Sequence, residues 1–259
     1  MAPLFSFDSL VSLFTLTILE IVLGIDNVIF VSIIMNKMPE PAQRLSARRI
    51  WMFAGICIRV GLLLLLTTLV THGDKELFGF NFNAKHIGFT LRNVIMFGGG
   101  LFLLYKTVSE IHEKFDLDSE TGGVKPRASS FTALIVQIIL VDTVFSFDSI
   151  ITAVGLANHV EVMMVAVVIA MILMFFFSEK ISSFIHKYPS LKMLALSFLL
   201  MVGFSLFFEG LEPIHGSHIE KGYIYFAMAF SFAVELLNIR LRKKTKEAKA
   251  KQDIAGKGV

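Results

Sequence analysis

Two apolar stretches of this chain carry carboxylates in their middle, in the same places. Ile18–Ile34 reads ILEIVLGIDNVIFVSII and holds Glu20, Asp26 and Asn27; Ile138–Val154 reads IILVDTVFSFDSIITAV and holds Asp142, Asp148 and Ser149. Glu20 and Asp142, Asp26 and Asp148, Asn27 and Ser149 are each 122 positions apart. The chain is 55% hydrophobic and 17% charged, where a soluble domain carries about 25% charged residues. Several of its apolar runs approach or exceed the roughly 20 residues that cross a bilayer. An ionised carboxylate at mid-membrane costs about 2.5–3.5 kcal/mol even on a generous insertion scale. Four cost on the order of 10 kcal/mol, comparable with a protein's whole stability. A fold that keeps them must give them partners, and must do so twice.

The expected fold is an all-α polytopic membrane protein with seven transmembrane helices, at about 8–35, 50–71, 88–111, 130–157, 160–179, 191–210 and 222–240. The first span is not expected to be a cleaved signal: it lacks a basic leader, its apolar run is too long, and no small-residue cleavage site follows. Residues 36–49 read as a loop with Pro39 and Pro41 as breakers, 72–85 as a polar loop, 112–127 as the one long linker, 158–161 as a tight turn, and 182–190 and 212–222 as loops. Residues 1–241 form the membrane domain, with repeat one over about 8–111, repeat two over about 130–210, and an extra helix at 222–240. Residues 242–259 are a basic cytoplasmic tail. The single cysteine, Cys57, excludes an intrachain disulfide and a thiolate cluster.

Lys and Arg set the orientation. With seven spans, one side holds eighteen of them, in 36–49, 112–127, 180–192 and the tail, against four on the other, Lys75, Lys85, Arg92 and Lys221. The N-terminus is therefore expected outside and the C-terminus in the cytoplasm. The two halves then have opposite topology, a 3+3 inverted repeat. In transporters of that build the site lies at the repeat interface near the midplane. A weaker echo follows Gly100 (GGGLFLLYK) and Gly203 (MVGFSLFFE). Gly98–Gly100 reads as a close-packing segment, not a phosphate loop, since no Lys-Ser/Thr follows.

On an ideal helix Glu20, Gly24 and Asn27 share a face, as do Asp142, Ser146 and Ser149. Asp26 and Asp148 lie roughly 120° around, so either two polar faces exist or each helix breaks near Gly24 and Ser146. The break is the favoured reading; it exposes backbone carbonyls as further ligands. The basic residues well inside spans are Arg59 and Lys106, both candidate counter-ions. They do not neutralise four acids plus Glu209 and Glu235, and the negative surplus suits a cation. Carboxylate, amide and hydroxyl oxygens suit Mg²⁺, Ca²⁺ or Mn²⁺ rather than Cu⁺; Zn²⁺ usually wants His or Cys, and sodium also fits. Lys106 with Glu110 forms an i, i+4 pair. Glu209 and Glu212 end the sixth span, as solvated acids or as an exit funnel. Glu235 and Asn238 sit near the inner end of the seventh. His215 and His218 are loop histidines, a type that rarely binds metal.

EIVLGIDN at 20–27, VDTVFSFDSIITAVG at 141–155, KMLALSFLLMVGF at 192–204 and KGYIYFAMAFSFAVELLN at 221–238 resemble the TerC family of bacterial integral membrane proteins, over nearly the whole chain. The likeness is to short, single-domain members of Gram-negative bacteria. The family is named for tellurite resistance, is similar to the LysE superfamily of exporters, and has members associated with manganese efflux. The resemblance implies a bacterial inner (plasma) membrane location and Glu20, Asp26, Asn27, Asp142, Asp148 and Ser149 as metal-site residues. Some relatives carry cytoplasmic domains, and regulation by such domains is expected to be absent here.

The resulting expectation is a divalent metal-ion exporter, for Mn²⁺ by resemblance, working by alternating access with proton coupling as an option. The alternatives are a metal-delivery or assembly partner, or a tellurite-resistance protein without transport of its own. An enzyme is not expected: the acids lack the Gly-x-Gly-Asp and Tyr-Asp contexts of intramembrane aspartyl proteases. No covalent cofactor and no nucleic acid are expected. The expected partners are the cargo ion and membrane lipid, and a homo-oligomer is compatible with the chain.

Overall fold

The computed structural model describes residues 7–72, 76–82, 85–118, 130–154 and 160–256; some side chains within these ranges, Asp26 and Asp148 among them, lie outside the description. The order is α1 (Phe7–Met35), α2 (Pro41–His72), β1 (Glu76–Phe82), β2 (Lys85–Thr90), α3 (Leu91–Asp118), α4 (Phe131–Val154), α5 (Val160–Lys187), α6 (Pro189–Gly210), α7 (Glu212–His215) and α8 (Lys221–Gly256).

Among the described residues four helical stretches are long and apolar enough to cross a membrane: Leu91–Glu113, Val160–Lys187, Pro189–Gly210 and Lys221–Thr245. Helix α1 is a fifth if its arms Ser9–Gly24 and Asn27–Met35, bent by 44°, count as one span. The bend falls where the sequence favours a break, but the backbone stays helical through it. Helix α4 is helical throughout. Polarity is inverted relative to a soluble protein. Phe14, Phe53, Phe176, Phe204 and Phe226 are exposed, whereas Glu20, Arg59, Asp142 and Glu209 are each 1% exposed.

Several boundaries differ from the sequence reading, each for a local reason. Pro41 opens α2 instead of breaking the chain, because its missing N–H is one that a first helical turn leaves without a partner anyway. The 36–49 loop therefore shrinks to a turn, in which Lys37 and Met38 donate backbone bonds to Ile34 and Met35. Pro189 likewise opens α6, so α5 and α6 are separated only by Tyr188, held extended at φ −125° and ψ 91° as a residue before proline prefers. The polar loop expected at 72–85 is largely an antiparallel hairpin, with Phe78 opposite Phe89 and Phe80 opposite Ile87. Its alternating Phe78 and Phe80 stack on Phe89. Helix α3 continues through Asp118, and the rest of the expected 112–127 linker lies outside the described residues, as do residues 158 and 159 of the expected 158–161 turn, whose Val160 and Glu161 instead open α5. The basic tail extends α8 to Gly256.

Helix α1 packs chiefly on α5, α2 on α4, and α3 on α6; α1 also meets α4, α2 meets α5, and α8 lies outside against α6. Glycine permits the closest of these crossings. A Cβ on Gly100 of α3 would meet the Phe207 amide nitrogen and lie 2.8 Å from the Gly203 carbonyl oxygen. One on Gly203 of α6 would lie 3.1 Å from Leu103 Cβ, and one on Gly210 would strike the Phe97 backbone.

Candidate functional site

Helices α1, α2, α4 and α5 converge on one buried ionic group. Glu20 of α1 and Asp142 of α4 lie on either side of Arg59 of α2. Arg59 Nη1 donates to Glu20 Oε2 at 3.0 Å, and Arg59 Nη2 lies 3.6 Å from Asp142 Oδ1. The matching acids of the two stretches are thus brought to one guanidinium. Trp51, the chain's only tryptophan, donates its indole N–H to Asp142 Oδ1 at 3.1 Å. A buried hydrogen bond to a charged group contributes about 1.5–3 kcal/mol.

Helix α2 makes this arrangement with one stripe. Trp51, Gly55 and Arg59 are four residues apart and so share a face. Trp51 and Arg59 both reach Asp142, and between them a Cβ on Gly55 would lie 3.2 Å from Asp142 Oδ2 and 2.5 Å from Met171 Cε. Glycine lets α4 and α5 close on α2 there. On α1, a Cβ at Gly24 would lie 2.5 Å from the sulfur of Met174. Two α5 methionines, one turn apart, therefore wall the group, and the 44° bend of α1 begins at Gly24.

Among the described residues, buried oxygens are left without hydrogen-bond partners on both acidic helices: Glu20 Oε1, Asn27 Oδ1, Asp142 Oδ2 and Ser146 Oγ. Native proteins leave few such atoms, and each calls for an explanation. Ser149, buried on the Asp142 face, donates its hydroxyl to the Ser146 carbonyl at 3.2 Å. Asp26 and Asp148 are placed on the helical backbones of α1 and α4, and their side chains lie outside the described residues. Among the described residues no group of three or more His, Cys, Asp or Glu stands ready to hold a metal.

Lys106 is not brought to this group. It lies 3.4 Å from Glu110, one turn along α3. Lys37, from the α1–α2 turn, donates to Glu110 at 2.8 Å and to Glu113 at 2.7 Å. Burial disfavours the Lys37 ammonium, but its hydrogen bonds and attraction to the two glutamates outweigh that, and its pKa is raised. At the same end of the bundle Arg48 pairs with Glu179 at 2.8 Å, and Ser182 donates to Asn36 at 3.0 Å. These contacts wall a cleft lined by Arg44, Arg48, Glu179, Ser182 and His186.

At the opposite end Glu209 is buried, with Arg92 at 3.9 Å, while Glu212 is half-buried in α7. His215 is engaged at both ring nitrogens. Nδ1 accepts from the Ser217 amide and Nε2 donates to the Phe208 carbonyl, with the ring stacked on Phe208. Asn238 donates to Glu235 at 3.4 Å on α8, away from the ionic group.

Sequence reasoning missed Trp51, Gly55, Met171 and Met174. Only the Trp51-x₃-Gly55-x₃-Arg59 spacing could have drawn attention to the first two, since it places an N–H donor and a gap on the face of the buried cation.

The sequence model described as "Integral membrane protein TerC family" matches residues 5–250. The chain is 47% identical over 232 residues to UPF0053 inner membrane protein YgdQ of Escherichia coli (strain K12), covering 89% of this chain and 92% of that protein. It is 43% identical over 226 residues to UPF0053 inner membrane protein YoaE of the same strain, 87% of this chain but 42% of that longer one. A UPF0053 protein of Haemophilus influenzae is 42% identical over 239 residues, 92% and 97% of the two chains. No solved structure matches. The chain therefore belongs to the TerC family of integral membrane proteins.

Proposed function

We propose that this protein is a divalent-cation exporter of the bacterial inner membrane, with Mn²⁺ as its cargo, working by alternating access. The observation that carries the reading is the convergence of Glu20 and Asp142 in the bundle interior with oxygens of both left without partners among the described residues. Hard oxygen donors suit a cation of the Mg²⁺, Ca²⁺ or Mn²⁺ type, and Asp26, Asn27, Asp148 and Ser149 on the same two helices complete the donor set of the reading. Manganese is preferred among these from the family resemblance. The inner-membrane location is supported by the relatives named so.

The reading takes the chain as seven spans, α1 to α6 as a 3+3 inverted repeat and α8 as the addition. The pattern of contacts supports it. Exchanging α1 with α4, α2 with α5 and α3 with α6 maps the α1–α5 contact onto α4–α2, and α1–α6 onto α4–α3. It leaves α3–α6, α1–α4 and α2–α5 in place. Lys and Arg asymmetry orients the N-terminus outside. The Lys37, Arg48 and Ser182 contacts then lie at the cytoplasmic mouth and must open for cargo to enter. Proton counter-transport is an option within this reading.

Purified protein in liposomes tests it. Mn²⁺ flux is expected with the wild type and is expected to be lost in Asp26→Asn, Asp142→Asn and Asp148→Asn variants that still insert. Absence of flux with the wild type, for Mn²⁺, Mg²⁺ and Ca²⁺ alike, would replace transport with a metal-delivery or assembly role.

A further inference from the structure

We propose that Arg59 is the resident cation of this carrier: its guanidinium fills the carboxylate pocket when cargo is absent, and the divalent ion binds by displacing it. The inference rests on the transport reading and adds the identity of the competitor.

Charge favours an occupant. Glu20 and Asp142 are each 1% exposed, and two facing carboxylates buried without compensation would be too costly to keep. Arg59, equally buried, supplies one positive charge between them. With the guanidinium in place this trio carries one net negative charge. With a divalent cation between the acids and the guanidinium moved aside, the same groups carry one net positive charge. Either form offsets most of the charge of Glu20 and Asp142, so an empty carrier has a compensated state in which to return.

Geometry indicates that the occupant is replaceable. A charge-assisted N–H···O⁻ bond is about 2.7–2.9 Å long, and arginine prefers bidentate pairing. Here Arg59 makes one contact of 3.0 Å and one of 3.6 Å, to different acids. Among the described residues its Nε has no hydrogen-bond partner, and neither do Glu20 Oε1 or Asp142 Oδ2. A purely architectural arginine in a closed interior would have its planar fork of donors satisfied. This pair is mismatched on both sides and leaves free those oxygens that a small cation would use.

The surroundings give the side chain somewhere to go. Arg59 lies one turn beyond Gly55 on the same face of α2, and Gly55 presents no Cβ to obstruct the space beside it. The atoms facing Gly55 are Asp142 Oδ2 and the terminal methyl of Met171. Methionine is unbranched and repacks readily, so rotation of Met171 opens a path for the guanidinium along α2. Asp142 keeps its bond from Trp51, which holds the carboxylate while the cations exchange.

The test is equilibrium Mn²⁺ binding and Mn²⁺ flux, measured for the wild type, Arg59→Lys and Arg59→Gln in lipid nanodiscs and liposomes. Arg59→Gln removes the competitor, and its Mn²⁺ affinity is expected to rise on the order of tenfold, given close charges in a partly desolvated site, while turnover falls because nothing displaces the cargo. Arg59→Lys keeps the charge but cannot bridge both acids, and its affinity is expected between the two. Equal or weaker Mn²⁺ binding in folded Arg59→Gln would overturn the proposal. Should that variant not fold, Arg59→Lys against the wild type decides, and affinity at or below wild type overturns it. Wild-type binding lost in Asp142→Asn but unmoved by either Arg59 change would reject this proposal alone. No wild-type binding at all would reject the transport reading with it.

Discussion

Three consecutive glycines, Gly98, Gly99 and Gly100, face three different environments, which makes a controlled experiment. A Cβ on Gly98 meets nothing within 4 Å. One on Gly99 lies 2.8 Å from Val144 Cγ1 and 3.1 Å from Cγ2, atoms that a valine can turn aside at some cost. One on Gly100 lies 2.7 Å from Phe207 Cα and 2.8 Å from the Gly203 carbonyl oxygen, which are backbone and cannot rotate away. Carbon–carbon contact is optimal at roughly 3.5–4.0 Å, so the third methyl forces α3 and α6 about 1 Å apart. Overpacking of this kind costs about 1–3 kcal/mol. The helix-propensity gain of alanine over glycine, about 1 kcal/mol, is common to all three positions and cancels in the comparison. Gly98→Ala is therefore expected at or above wild-type stability, Gly100→Ala about 1–3 kcal/mol below Gly98→Ala, and Gly99→Ala between them. At about 2–4 °C per kcal/mol for a chain of this size, thermal unfolding of the purified protein resolves the order. Gly100→Ala as stable as Gly98→Ala would refute the close crossing of α3 and α6.

Trp51→Phe removes the N–H that holds Asp142 and is expected to cost about 1.5–3 kcal/mol, again read by thermal unfolding; an unchanged transition would mean that Arg59 alone holds the acid. Lys37→Gln is expected to destabilise through lost bonds to Glu110 and Glu113. Because the Lys37 pKa is raised from the usual 10.5, its contribution is complete at pH values below 10.5 and is lost as pH rises through the higher folded-state value. The gap between wild type and Lys37→Gln should therefore be the same at pH 7 and pH 9 and close only at stronger alkalinity. A gap that closes between pH 7 and pH 9 would contradict that shift. In a Cys57→Ser background, Glu40→Cys should label with a membrane-impermeant maleimide only from the cytoplasmic side and Ser217→Cys only from outside; labelling of both from one side would refute the orientation.

What was legible in the sequence was whatever stood out against an apolar background. Glu20, Asp142 and Arg59 are charges in hydrocarbon-length stretches, and each is expensive enough to demand a partner; the structure joins these three. Lys106 met the same criterion yet serves elsewhere, because Glu110 lies one turn away on its own helix and Lys37 folds back onto the same acid. That competition depends on a turn whose geometry is not written in any periodicity. The hairpin was hidden for a related reason. Its Phe-x-Phe alternation is short, and its glycines and asparagines read as loop when the expected neighbours are long helices.

The apolar partners of the site had no contrast to show them. Met171, Met174 and Gly55 are ordinary members of apolar helices by sequence, and become informative only once α5 is laid across α1 and α2. Yet they decide how the acids are held. Gly55 lets Asp142 reach both Trp51 and Arg59, and Gly24 admits Met174 where α1 begins to bend. The two acidic helices are matched in sequence at an offset of 122, but the helices that clasp them are not: α2 brings a cation and an indole donor, whereas α5 brings two methionines. A site between similar acidic helices is thus lined asymmetrically. One wall is charged and the other is built of unbranched, flexible side chains.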